Sequence, residues 1–140
     1  NPYEPYVLIS AGSFKLVRDV DVEYGLKLCE LANKYNEQPQ GWYNWPLIVY
    51  YSRIGEYQKS LEHSIAGNFK DDNNIAQTAV MYWLNGEKDT SLKKYSDVKN
   101  LNKDYSVNDY KRFFIEVYDN KGIDDHLDVL KEIEAAYDKK

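Results

Sequence analysis

Histidine and cysteine side chains, the usual metal ligands and nucleophiles of proteins, are few and widely spaced in this sequence. The chain has two histidines, His63 and His126, and one cysteine, Cys29. A metal centre needs several convergent ligands, and neither histidine belongs to a ligand motif such as HExxH. Cys29 lies between Leu28 and Leu31, where a small buried apolar side chain is expected rather than a reactive thiol.

Acidic residues cluster at two places, and both clusters are better explained by helix starts than by a cation site. The segment from Asp71 to Asn74 lacks the alternating D-x-[DN]-x-[DN]-G order and the later glutamate of a calcium loop. Asp124, Asp125 and Asp128 are typical first-turn acids that complement a helix dipole. The sequence contains no glycine-rich phosphate loop and no nucleophile elbow. We therefore expect no cofactor, no metal and no catalytic residues, so a protein that is not an enzyme.

The amino-acid composition limits which classes of partner are expected. The 140 residues suit one domain, and 43% hydrophobic with 29% charged residues is typical of a folded chain. A formal net charge of −5 argues against nucleic acid, and no apolar run is long enough for membrane insertion. The chain begins at Asn1 without a basic signal-peptide region, so we expect a mature, processed or excised segment and assign no compartment.

Hydrophobic periodicity predicts eight helices and an all-α fold. The first is expected from about Tyr3 to Ala11, with Gly12 as its C-terminal stop and a connector over residues 13–19. Val7 and Ile9 would also suit a strand there. The other helices are expected over residues 22–36, 42–54, 57–67, 75–85, 90–101, 107–118 and 123–137. Their expected N-terminal caps or turns are Asp21, the segment 71–74, Asp89 or Thr90, Ser106, and the turn at 120–122.

Two helix pairs share a turn chemistry, because Gly55 and Gly86 lie 31 positions apart and each separates two amphipathic runs. This spacing is close to the 34-residue period of tetratricopeptide repeats, and residues 18–101 resemble that family. Residues 42–57 resemble the first helix and turn of a full repeat. The small residues of segment 25–32 resemble its second helix. Segment 18–29 is similar to the entry of bacterial tetratricopeptide arrays attached to kinases or sensors.

The resemblance implies one domain over residues 1–140, a right-handed α-solenoid of about four antiparallel helix pairs. Residues 102–140 would form a divergent C-terminal pair or cap. Each pair buries its apolar side only against its neighbours and leaves a concave groove lined by the first helices. The residues expected to line this groove and bind a partner are Trp42, Trp45, Val49, Arg53, Gln77, Val80 and Trp83.

Three functions remain open. The first is a protein-interaction module that binds a partner peptide or a neighbouring domain in an aromatic groove, since exposed Trp, Tyr and Arg are typical of binding hot spots. The second is a structural or homo-oligomerising spacer within a larger protein, with the polar final helix as its cap. The third is a small-molecule binder that uses the 14 tyrosines. The tryptophans suit either an exposed groove or the packing between helices.

Overall fold

The computed structural model describes residues 4–118 and 120–140, without the side chains of 120 and 121. Within these residues all regular secondary structure is helical, which confirms the all-α prediction. The helices are α1 (Pro5–Val17), α2 (Val22–Tyr35), α3 (Trp45–Arg53), α4 (Tyr57–Gly67), α5 (Asp72–Leu84), α6 (Lys88–Leu101), α7 (Val107–Phe114) and α8 (Asn120–Asp138). A 3₁₀ turn, Gly41–Asn44, precedes α3. Two compact units divide the chain, the first within Asn1–Asn68 and the second within Phe69–Lys140.

The first unit consists of two helix pairs, α1 with α2 and α3 with α4, and α1 also packs against α3. The helices α1 and α2 are antiparallel, because Gly12 faces Cys29 while Leu16 faces Gly25. The core of this unit is formed by Leu8, Ile9, Leu16, Leu28, Cys29, Ala32, Tyr43 and Leu47. Cys29 has the packing position that the sequence predicted for it.

The first helix is longer than its sequence pattern indicated, and Gly12 does not end it. A Cβ at Gly12 would lie 2.6 Å from Cys29 Sγ and 2.9 Å from the Gly25 carbonyl oxygen, so glycine is required there by close helix packing. The helix continues to Val17 and ends where Asp19 adopts a left-handed conformation, φ 56°. The connector predicted over residues 13–19 is thus mostly helical. The strand alternative is wrong, and the expected start at Tyr3 lies outside the described residues.

The second unit contains α5 with α6 and α7 with α8, and α8 packs against all three of the others. Asp71 caps α5 as predicted, its carboxylate accepting from Asn74 N at 3.0 Å. Ser106 begins α7 with a capping box to Asp109, also as predicted. Glu87, rather than Asp89 or Thr90, is the N-cap of α6.

Two boundaries near the C-terminus differ from the sequence pattern. The helix α7 ends at Phe114, although the apolar spacing continued to Val117 and Tyr118. The predicted turn at 120–122 is instead the first turn of α8. Phe114 at the end of α7 and Tyr118, four residues later in the non-helical segment, are both buried, so apolar residues at helical spacing extend beyond the helix.

The turns at Gly55 and Gly86 are the same structure repeated. Both glycines have left-handed backbones, φ 78° and 81°. In each turn the next residue donates its N–H to a carbonyl five residues earlier: Glu56 to Tyr51 and Glu87 to Tyr82, both at 2.9 Å. The following helices then repeat a buried hydroxyl contact. Ser60 Oγ donates to the Ile48 carbonyl at 2.9 Å and Ser91 Oγ to the Ala79 carbonyl at 2.7 Å. The 31-residue spacing seen in the sequence is therefore a repeat of hairpin geometry.

Candidate functional site

Cys29 and His126 are buried, and His63 is half-buried. Burial raises the pKa of the Cys29 thiol to about 12, with the Glu30 carboxylate acting in the same direction. His63 Nδ1 lies 2.9 Å from Asn44 Oδ1, and its ring stacks on Tyr51. Burial lowers the pKa of His63, an effect that Glu62 partly offsets. A thiol that is protonated at neutral pH and a histidine with a structural partner do not form a nucleophilic pair.

His126 belongs to an aromatic cluster in the second unit. Its Nδ1 lies 2.7 Å from the Tyr110 hydroxyl, and its ring lies 4.5 Å from that of Tyr118. The Tyr118 hydroxyl also accepts from Gln77 Nε2. Burial lowers the pKa of His126 to about 4, so the imidazole is neutral near pH 7. No group of three or more His, Cys, Asp or Glu side chains within the described residues is arranged to hold a metal ion.

A shallow cleft of about 230 Å³ lies in the second unit between the start of α5 and α7. Its polar groups already have partners within the protein. Asp72 Oδ2 accepts from Asn102 at 3.1 Å, and Asn73 Oδ1 accepts from the Tyr105 hydroxyl at 3.0 Å. Asp109 serves the capping box of α7. The acids of this cleft are therefore explained by the helix starts they stabilise.

Three of the seven predicted partner-binding residues lie in the protein interior. Val49 and Val80 are fully buried, and Gln77 is buried with its amide bonded to Tyr118. They lie on α3 and α5, as the periodicity predicted, but at buried positions of these helices. They offer no surface to a partner in this fold.

Arg53 and Trp83, two further predicted contact residues, are half-buried and engaged within their units. The Arg53 guanidinium donates to the Leu16 carbonyl at 2.6 Å and to the Val17 carbonyl at 2.8 Å. It thereby satisfies two carbonyl groups at the C-terminal end of α1, where a cation is also favoured by the helix dipole. Trp83 Nε1 donates to Glu132 at 2.9 Å. Both residues thus have a structural role within the chain.

Trp42 is the predicted contact residue that is most exposed. It retains 38% of its accessible surface, and its ring meets that of Tyr6 edge-on with 6.0 Å between centroids. Its indole N–H is bonded to Gln40 at 2.8 Å, which holds the ring in place at the surface. Trp45, the neighbouring predicted residue, is half-buried at the start of α3. The aromatic contact links Trp42 to the first helix.

The exposed side of α1 carries no charged residue. Its exposed positions form one arc of roughly 140° when placed at 3.6 residues per turn. We call this arc the α1 face; its residues are Tyr6, Val7, Ser10, Ala11 and Phe14. Tyr6 and Phe14 expose 60% and 63% of their surface. The apolar side of a surface helix normally packs against the core, so an exposed side with large apolar residues and no charge is unusual.

Other described helices keep charges on their exposed positions. The helix α8 exposes Asp124, Asp125, Asp128 and Lys131 in its N-terminal part. The helix α2 exposes Lys27, Glu30 and Lys34 between its two exposed tyrosines. An uncovered arc without charge is therefore a property of α1 and not a general feature of this surface.

Tyr6, Val7 and Phe14 were missed as contact residues by the sequence pattern. The signal was present, because no charged residue occurs between Pro5 and Phe14. Because Gly12 predicted a helix stop, Phe14 was assigned to a connector and not to the same helix as Tyr6 and Val7.

Comparison with protein-family models, with curated proteins and with solved structures finds no match to this chain. None of the described helices is both long and apolar enough to span a bilayer.

Proposed function

We propose that the protein is a non-catalytic interaction module, which binds another protein through the α1 face and the adjacent Trp42. The single observation that supports this is the uncharged, exposed arc of α1. Leaving large apolar side chains in water is unfavourable, and contiguous apolar patches on folded proteins commonly mark interaction sites. The aromatic residues of the patch are of the types enriched at binding hot spots.

The chemistry of the patch favours a helical partner. The backbone N–H and C=O groups of α1 are used within the helix, so a partner strand cannot add to it by main-chain pairing. Contacts must come from side chains that pack as ridges into grooves, which an amphipathic helix supplies. Such a partner would present an apolar stripe, since the α1 face has no ionic group with which a polar partner surface could pair.

The repeated hairpin geometry supports a tetratricopeptide-like organisation as part of the same proposal. In a right-handed solenoid each hairpin stacks on the next, and a hairpin with an apolar outer face needs a further helix to cover it. The matching turns at Gly55 and Gly86 are what such an array requires. The interaction through α1 depends only on the first unit and would stand without the solenoid.

Selection from a displayed library of amphipathic helical peptides tests the proposal. At low micromolar concentration or below, the wild-type chain should enrich peptides that need their apolar stripe in order to bind. The Phe14→Ala/Trp42→Ala variant should bind those peptides at least about tenfold more weakly, because hot-spot aromatic residues contribute ~2 kcal/mol or more each. Far-UV circular dichroism of both proteins would show whether the variant retains its helices.

Phe113→Ala provides the matched control, since Phe113 is also an exposed aromatic residue on a helix but belongs to the second unit. It should bind the selected peptides like the wild type. Enrichment of no helical peptide, or binding that is insensitive to Phe14 and Trp42 while sensitive to Phe113, would overturn the proposal.

A further inference from the structure

The α1 face is self-complementary in shape: large and small residues are placed so that two antiparallel copies fit together. Val7 and Phe14 lie seven residues apart and are on the same side of the helix, with Ser10 and Ala11 between them. Small residues at the centre allow two helices to approach closely, while large residues at both ends fill the space where the helices diverge. When the same face is turned end to end, Val7 stands opposite Phe14 of the second copy and Ser10 opposite Ala11.

The charges at the two ends of α1 favour the same antiparallel arrangement. Glu4 is the N-cap of α1, and Arg18 is its C-cap. The midpoint of Glu4 and Arg18 is Ala11, only half a residue from the midpoint between Ser10 and Ala11, so antiparallel pairing brings Glu4 near Arg18 of the second copy. Arg18 has no carboxylate partner among the described residues. A parallel pairing would instead bring like charges together.

We propose that the α1 face binds the α1 face of a second copy of this chain, antiparallel, with Ser10 and Ala11 at the two-fold axis. Such an interface is isologous, because one surface supplies both sides. The inference rests on the proposed function and names its partner. Tyr6 and Trp42 lie at the edge of the contact and enlarge it.

The exposed area determines how strong this dimer is. Tyr6, Phe14 and Trp42 expose 60%, 63% and 38% of their surfaces, which is roughly 300 Å² at about 150–250 Å² per aromatic residue. A standard stable interface buries about 800 Å² on each partner. The α1 contact is smaller, so the dimer forms in a concentration-dependent equilibrium in the micromolar range or weaker.

Sedimentation equilibrium of the full chain over about 10 µM to 1 mM measures this equilibrium, a range that brackets a weak contact of this size. The wild type should shift from monomer towards dimer. Ala11→Glu places two carboxylates at the two-fold axis and should raise the dissociation constant at least about tenfold. Ala66→Glu makes the same substitution at an exposed position of α4 in the same unit and should leave association unchanged.

Cysteine crosslinking tests the antiparallel register. The native Cys29 is buried and protonated, so an introduced cysteine is the reactive one. Ser10→Cys lies beside the two-fold axis and should form a disulfide-linked dimer on mild oxidation. Phe14→Cys should crosslink poorly to itself, since the two copies are about 10 Å apart along the axis there. A mixture of Val7→Cys and Phe14→Cys chains should crosslink to each other.

The outcomes separate the two proposals. A wild-type chain that stays monomeric to about 1 mM while it still binds helical peptides through Phe14 and Trp42 would overturn self-association and leave the interaction function intact. Equal crosslinking at residues 10 and 14 would overturn the antiparallel register. Absence of both dimerisation and peptide binding would overturn both proposals.

Discussion

His126 shows at the scale of one residue how burial decides the role of a titratable group. Its side chain is only 3% exposed, and its Nδ1 shares a hydrogen bond with Tyr110. The imidazole lies among tyrosine rings, and burial is the cause of its lowered pKa. A neutral imidazole suits this environment and a charged one does not, so protonation must favour unfolding.

The free energy of unfolding should therefore depend on pH through His126. Its pKa is about 4 in the folded state and 6.5 in the unfolded state, so the unfolded chain binds a proton more readily between these values. The stabilisation is complete above about pH 6.5 and is lost as the pH falls to 4, by roughly 3 kcal/mol. Urea unfolding between pH 7.5 and 4.5, followed by circular dichroism, measures the slope.

The comparison variant is His126→Asn, which keeps a hydrogen-bonding group near the Tyr110 hydroxyl and cannot titrate. The free energy of unfolding of this variant should change less with pH, by the equivalent of about one bound proton. Carboxylates and His63 are present in both proteins, so their contributions cancel in the comparison. Parallel curves for the two proteins would show that His126 does not supply the slope.

The predicted contact residues illustrate what sequence could not determine at this scale. Position in a repeat placed Val49 and Gln77 on the first helices, and residue type made Arg53 an attractive contact. Their burial depends on which helices pack over them, which is set by residues far away in the chain. Arg53 binds carbonyl groups 36 and 37 positions earlier, a contact that no local pattern contains.

At the scale of elements, the repeated turn is the part of the fold that local sequence specified best. Gly55 and Gly86 each lie at the end of an amphipathic run and adopt the left-handed conformation that glycine favours. A Cβ added at either position would meet no atom within 4 Å. The cost of a substitution there is therefore conformational and not steric.

Replacing Gly86 with alanine should lower the free energy of unfolding by about 1 kcal/mol, and replacing it with asparagine should cost less, because asparagine tolerates the left-handed region. Gly55→Ala should behave in the same way, and the two costs should add, since each turn lies in a different compact unit. Urea titrations of the single and double variants measure this. Equal costs for alanine and asparagine would argue against a purely conformational cause.

Helix boundaries were predictable where a chemical signal was unambiguous. Asp71 and Ser106 cap their helices as the sequence indicated, and α4 has the predicted bounds. The length of α1 was not predictable, because Gly12 is both a common helix stop and a common residue at close helix contacts. The Gly25 and Cys29 backbone that requires a glycine there comes from α2, so the choice between the two roles is a tertiary one.

At the scale of the whole chain, polar and apolar surfaces are distributed unevenly along the sequence. The last helix, α8, exposes mostly charged residues, whereas the first helix exposes none. The single-domain prediction for residues 1–140 stays a prediction, and the chain divides into two compact units. The uncharged face of α1 is the part of this surface on which the proposed contact depends.

Thermal unfolding should therefore depend on protein concentration. If folded chains pair through α1 and unfolded chains do not, mass action stabilises the folded state more as the concentration rises. Raising the wild-type concentration from about 5 µM to about 500 µM should increase the melting temperature by roughly 3 °C. Ala11→Glu should remove most of this increase, while Ala66→Glu should retain it, because only Ala11 belongs to the α1 face. Melting temperatures that stay constant for all three proteins, or that rise equally, would contradict pairing through α1.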